Sequence, residues 1–145
     1  MKIKTAIFAS ALAILASGCN TFRASQDNLF LDEEGNVLTV TYGRLDKKHK
    51  SVFKSPVPGD GREFETESNL AVKVTLPGPN GKNLKLYECI NLLPTGTMYM
   101  TDDTEWLYLA NGFSCTVYKK NQDGSDYDTW YQGILCERPS ARKIK

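Results

Sequence analysis

Three kinds of side chain in this sequence could carry chemistry: one imidazole, a knot of carboxylates and four thiols. His49, the single histidine, stands in Lys47-Lys48-His49-Lys50. Three cationic neighbours make it a poor metal ligand, and the run reads as a solvated turn. A Ser-His or Cys-His nucleophile pair would therefore have to be assembled around a loop residue. Asp102, Asp103 and Glu105 cluster between two apolar segments, where a glycosidase could keep its acid and base. Thr101-Asp102-Asp103-Thr104 is also the ordinary composition of a strand connection, and a solvated acidic turn is the expectation. No Cys-x-x-Cys occurs, so the thiols offer zinc no familiar ligand spacing. These residues predict a binding protein rather than an enzyme, with no catalytic group, no metal and no cofactor.

The elements that would position any site are strands. Leu70, Val72, Val74 and Leu76 alternate with Ala71, Lys73 and Thr75, the period of two that marks a strand buried on one face. Pro77-Gly78-Pro79-Asn80-Gly81 breaks that run and Leu84 to Ile90 resumes it, which predicts a hairpin. Val37 to Leu45 is a strand by its Val, Thr and Tyr content, and Thr97 to Thr101 is another. Glu105 to Ala110 and Phe113 to Lys119 flank Asn111-Gly112, the strongest short hairpin signal, because both turn residues accept positive φ. Trp130 to Cys136 follows a polar loop, Asn121 to Asp128. Seven or eight short strands, with no amphipathic helix after residue 19, predict an all-β antiparallel meander, closed as a small barrel or stacked as a sandwich. Closure would remove exposed edges.

The beginning of the chain bears on compartment. Met1-Lys2-Ile3-Lys4 is charged, and Thr5 to Ala16 is apolar but shorter than the roughly 20 residues that span a bilayer; small residues close it, as in a processed secretory signal. Leu15-Ala16-Ser17-Gly18-Cys19 resembles the lipobox of bacterial lipoproteins, with Ala16 where Leu is commoner. That resemblance implies acylation of Cys19 and cleavage before it, and Asn20 in place of Asp implies sorting to the outer membrane, facing the periplasm. Each buried acyl CH₂ contributes ~0.8 kcal/mol, so two or more chains hold a protein firmly on its membrane. The expected organisation is a signal-peptide helix over 1–18, a lipidated polar tether over 19–27, a β-barrel domain over 28–138 and a basic flexible tail over 139–145. Loss of Lys2 and Lys4 with the signal turns a formal net charge of +1 into −1. Nucleic acid and other polyanions are therefore not expected partners, and no small-molecule substrate is indicated.

Setting Cys19 aside leaves Cys89, Cys115 and Cys136, an odd number in an oxidising compartment. Folding the last hairpin brings Cys115 and Cys136 onto neighbouring arms, which favours a disulfide between them. Loop entropy does not decide against Cys89 with Cys136, since the two closures differ by under ~1 kcal/mol.

The order of residues in the second half adds a resemblance. Thr95-Gly96-Thr97-Met98-Tyr99, a short acidic turn, Trp106-Leu107-Tyr108, Gly112, Cys115-Thr116-Val117-Tyr118-Lys119 and Cys136 follow one another as in the membrane-bound inhibitors of c-type lysozyme. The likeness spans about residues 37–138, and Val37 to Gly43 looks like that family's early strand. It implies an eight-stranded antiparallel barrel that blocks the lysozyme cleft with a loop. Thr95 would supply the hydroxyl that meets the catalytic carboxylates, a charge-assisted bond of roughly 1.5 to 3 kcal/mol. Gly96 would let the loop turn, Tyr99 would fix its base, and Asn111 and Gly112 would form a second contact loop. Asn111 stands where the family carries Lys, and the family's early Cys is missing from residues 30–40, a bridging role Cys115 is placed to take over. Asp102, Asp103, Glu105, Asp123, Asp126 and Asp128 would draw in a basic lysozyme. The alternative expectation is a non-inhibitory surface or envelope-assembly lipoprotein, an adhesin or structural interaction module on the same barrel.

Overall fold

The computed structural model describes residues 20–54, 61–79, 81–92 and 96–136. Within them the chain forms β1 (Phe22–Leu31), β2 (Val37–Lys54), β3 (Glu63–Thr75), β4 (Asn83–Leu92), β5 (Gly96–Met100), β6 (Trp106–Ala110), β7 (Ser114–Lys120) and β8 (Tyr127–Leu135), and no helix. Each strand pairs antiparallel with the next, and β8 pairs back onto β1, so the hydrogen bonding closes into a barrel. The all-β meander is borne out, and the barrel rather than the sandwich is its form. The expected signal peptide over 1–18, Cys19 and the tail over 139–145 lie outside the described residues, as does Thr95.

Side-chain alternation sorts the strands' residues into two apolar groups. Leu38, Val40, Val72, Val74, Leu86, Tyr108 and Val117 point inward and are at most 1% exposed, filling the barrel with β-branched, leucine and aromatic side chains. Tyr42 and Tyr108 share a 2.6 Å hydrogen bond between their hydroxyls, so the fully buried Tyr108 ring carries a partnered polar tip. The alternate residues of β5 and β6 face the other way: Met98, Met100 and Leu107 lie on the outside of the wall together with Cys89, yet they too are buried.

What covers them is an arm formed by the outer halves of β2 and β3. Beyond a register shift between Arg44 and His49, residues His49 to Lys54 pair with Glu63 to Ser68. The arm lays Phe53 and Phe64, stacked at 5.4 Å between centroids, over the outer cluster. The run Lys47 to Lys50 is therefore strand rather than the expected solvated turn. Its charges sit on exposed positions of a paired ribbon, a composition that sequence cannot tell from a loop.

Two other expectations change. β1 begins at Phe22, inside the stretch expected as a tether over 19–27: Phe22 pairs with Leu45 and Asp27 with Thr41. Most of this half is exposed on both faces, which is why its polarity mimics a linker. Cys115 and Cys136 do not form the expected disulfide; both are free, as is Cys89. The β7–β8 register sets Cys115 opposite Gly133, three residues short of Cys136. Three residues of strand separate the two Cα atoms by roughly 10 Å, beyond the ~7 Å that a disulfide tolerates.

Candidate functional site

Gly96 marks where the start of β5 meets the end of β6. It sits at φ +132°, and a Cβ there would lie 1.9 Å from the Ala110 carbonyl oxygen and 3.1 Å from the Asn111 Cα. Only glycine permits that approach. Thr97 pairs with Ala110 directly after it, so the start of β5 lies against the turn that begins at Asn111. In that turn Gly112 alone has positive φ, 99°, and the Asn111 N–H donates to the Ser114 carbonyl at 3.1 Å. The turn is therefore centred on Gly112-Phe113, one residue later than the sequence suggested, with glycine first as a II′ hairpin requires. The Asn111 side-chain oxygen accepts from the Ser114 N–H at 3.1 Å and its hydroxyl at 2.7 Å, so it organises its own turn. Phe113 stands out at the tip, 80% exposed. Tyr99 is buried below, edge-on to Tyr42 and tilted against Tyr108, and desolvation pushes its hydroxyl pKa well above the ordinary value.

The acidic residues fall elsewhere. Successive connections of an antiparallel meander alternate between barrel ends, so the β5–β6 turn holding Asp102, Asp103 and Glu105 lies at the rim opposite Gly96 and Asn111. Asp103 builds this turn, accepting from the Thr101 hydroxyl at 2.7 Å and the Glu105 N–H at 3.0 Å; those bonds hold its pKa below the usual value. The β7–β8 turn joins the same rim through the Tyr127 hydroxyl, which donates to the Thr104 carbonyl at 2.7 Å. Asp102 pairs with His49 across 2.8 Å, and the His49 ring stacks on Tyr87 at 3.7 Å. Ser68, opposite His49 in the ladder, donates its hydroxyl to Glu88. Serine, histidine and aspartate are thus near one another, but the serine proton is directed to a carboxylate and not to the imidazole. No relay of the Ser-His-Asp kind is assembled.

A second surface was not anticipated. Strands β1 and β8 close the ring by pairing Phe30 with Leu135 and Leu31 with Ile134, continued by the Cys136 N–H donating to the Leu29 carbonyl at 2.7 Å and, from inside, by the Tyr131 hydroxyl donating to the Phe30 and Asn36 carbonyls at 3.0 and 2.8 Å. Across the gap that this short seam leaves, the β1–β2 turn faces β8 and encloses a groove of about 760 Å³. Asp32 fixes the turn by accepting from the Asn36 N–H at 2.7 Å and the Glu34 N–H at 3.0 Å, while Glu33 and Glu34 line the groove. The wall opposite presents Trp130, Gln132 and Ile134, with Leu31 at the seam; Ile134 is 63% exposed. The signal was legible in principle, because Tyr131 and Gly133 point inward, which leaves an apolar residue at each end of the outward set Trp130, Gln132 and Ile134.

Among the described residues no group of three or more His, Cys, Asp or Glu is gathered closely enough to hold a metal ion. The fold and surfaces define the described residues as a closed eight-stranded antiparallel barrel with free thiols and two surface features, an exposed hairpin turn at Gly112-Phe113 and an acidic, apolar groove. Comparisons with protein-family models, with curated proteins and with solved structures find no match.

Proposed function

We propose that this protein is a lipid-anchored barrel of the bacterial outer membrane that acts by binding, without catalysis, and that its partner is c-type lysozyme, whose cleft it plugs with the β4–β5 loop. The observation that supports this reading most is the contact at Gly96. The absent side chain there lets the start of β5 lie against Ala110 and Asn111, so the first described residue after Thr95 abuts the second loop that the resemblance nominates. Thr95 directly precedes that glycine in the chain. A hydroxyl offered to a desolvated carboxylate would remove the proton donor and water that glycoside hydrolysis needs.

Charge favours a basic partner through different residues from those first considered. The aspartates of the β5–β6 turn lie at the far rim, whereas Glu33 and Glu34 share their groove with Ser114, which directly follows the exposed tip of the second loop. Their field would speed encounter at low ionic strength.

The test is a cell-wall lysis assay with c-type lysozyme and the purified chain from Cys19 onward. Inhibition at micromolar protein, weakened by Thr95→Ala more than by Asn111→Ala, is the expected result. Unimpeded lysis would end the proposal, and equal effects of the two substitutions would remove the loop assignment.

One observation favours a second reading, a non-inhibitory interaction module of the envelope. Asn111 spends its side-chain oxygen within its own turn, so the second loop brings no cation to an enzyme cleft. Full lysis alongside specific capture of another envelope protein would select this reading.

A further inference from the structure

The β1–β8 seam leaves a length of backbone without a partner strand. β8 pairs with β7 along its length, but on its other side it pairs with β1 only at Ile134 and Leu135, so among the described strands nothing pairs with that edge from Tyr127 to Gly133. This is an edge inside a closed barrel, produced by unequal strand lengths and stagger rather than by an open sheet. An unpaired edge is a template for another strand unless charge, proline or a cover blocks it. Between Tyr127 and Ile134, β8 carries no proline and a single charge, Asp128 at its turnward end, which leaves Thr129 to Gly133 uncharged.

We infer that this edge is a strand-addition site and that its occupant is an extended basic segment of a partner protein, laid between β8 and the β1–β2 turn. Three features of the groove specify that chemistry. Its length accommodates a short strand, and main-chain hydrogen bonds to an open edge supply affinity without demanding a sequence. Its side chains carry three carboxylates, Asp32, Glu33 and Glu34, and no Lys or Arg. Of these Asp32 is occupied inside the turn, which leaves Glu33 and Glu34 to meet cations.

Apolar contact is available on the same line. Trp130 is the extra residue at the register shift between Val117 and Tyr118, and its ring meets the Trp106 ring edge-on at 5.6 Å. A bulge of this kind re-aims a side chain at the edge of a sheet. Ile134 and Leu31, paired across the seam, form the other apolar end. A segment that alternates basic and apolar residues would set its cations toward the β1–β2 turn and its apolar side chains on Trp130 and Ile134, as the period of two dictates. This surface does not depend on the lysozyme reading and would serve either function proposed above.

The probe is a capped, fluorescently labelled heptapeptide, Lys-Val-Lys-Val-Lys-Val-Lys, titrated into the purified protein by anisotropy. Saturable binding is expected, with protection of the amides from Thr129 to Gly133 against hydrogen exchange. N-methylation of alternate peptide nitrogens, which removes edge-facing donors and leaves the charge, should weaken binding at least about tenfold, because main-chain bonds carry the affinity. Glu33→Gln with Glu34→Gln, both on an exposed turn, should weaken binding severalfold at low salt, and at about 0.5 M salt the difference should vanish. Equal affinity of the methylated peptide would reduce the contact to charge alone and overturn the proposal. So would no binding at about 1 mM, or protection confined to residues outside the groove. Sedimentation showing a dimer that the peptide dissociates would also overturn it, by assigning the edge to a second copy of this chain.

Discussion

The two apolar clusters sit back to back on the same wall and are built on opposite principles. The interior cluster is made mainly of valine, leucine and aromatic side chains contributed by every strand, and the strands that hold it are joined into a closed ring. The outer cluster consists of Cys89, Met98, Met100, Leu107 and Phe53, and its cover is one hairpin arm. Methionine fills irregular space without fixing one packing, so a lid over Met98 and Met100 can lift and resettle where the interior cannot. The difference teaches that burial and restraint are separate: Cys89 and Val117 are equally inaccessible, yet one is covered by a hairpin and the other by a closed ring.

Alkali should break the interior as a block, and this is the largest effect. Desolvation raises the pKa of Tyr99 and Tyr108 above the ordinary 10.0 and pushes the Cys115 thiol from 9.0 up to about 12. The folded protein keeps these groups neutral while the unfolded chain ionises them. Their contribution is therefore intact below the unfolded values and is lost as pH rises past 9 and 10, at roughly 1 kcal/mol per pH unit for each group. Cooperative unfolding is expected above about pH 10, and tyrosinate absorbance should appear together with loss of the β-sheet circular dichroism. Tyrosinate developing in a folded barrel would show that the interior admits water.

Single substitutions should separate the clusters. Leu86→Ala removes a fully buried interior side chain and should cost about 2 to 5 kcal/mol, read as a lower denaturant midpoint with unchanged slope. Phe53→Ala should lower that midpoint less, because it loosens the arm and leaves the ring of strands intact. Its readout is thiol labelling at neutral pH. Burial pushes Cys89 to about 12 as well, so it reacts only when uncovered. Cys89 should become at least about tenfold more reactive in Phe53→Ala, a shift of ~1.4 kcal/mol in the opening equilibrium, while Cys115 stays inert. If both thiols respond together in either variant, the two clusters are one cooperative unit.

Much of the ring could be read in advance because its signal is local. Leu70 to Leu76 alternates cleanly since one face meets the interior and the other meets water, and glycine at Gly112 marks a turn by its backbone freedom. The arm could not be read in this way. Its residues do alternate, Glu63, Glu65 and Glu67 with Phe64, Thr66 and Ser68, but the covered positions are largely polar, so the pattern lacks the apolar face that marks a strand, and the pairing is fixed by contacts distant in sequence. The free thiols were missed for a related reason. Hairpin folding brings the arms of Cys115 and Cys136 together, whereas bonding depends on register, and even with the extra residue at Trp130, which moves Cys115 one place toward Cys136, three residues remain between them. At the candidate site, Gly96 and Asn111 were legible through their turn chemistry. Of the groove only one wall was legible, through the alternation of Trp130, Gln132 and Ile134 with Tyr131 and Gly133, since the opposite wall comes from the closing seam between the first and last strands, which no local pattern records.

The smallest effect tests what else keeps the arm down. His49 fastens it twice, by its 2.8 Å contact with Asp102 on the β5–β6 turn and by its stack on Tyr87 of β4. The pair is weak on physical grounds, because the Asp102 carboxylate is 69% exposed and solvent competes for it; such contacts contribute about 0 to 1 kcal/mol. The stack removes ring area from water and does not depend on charge. Phenylalanine keeps the stack and deletes the pair, whereas alanine deletes both. His49→Phe should therefore leave Cys89 labelling within about twofold of the parent, and His49→Ala should raise it further, though less than Phe53→Ala, since Phe53 lies in the cluster itself and His49 at its margin. The reverse order, with His49→Phe as reactive as His49→Ala, would make the ion pair the fastening and would tie the lid to the acidic rim rather than to the apolar surface beneath it.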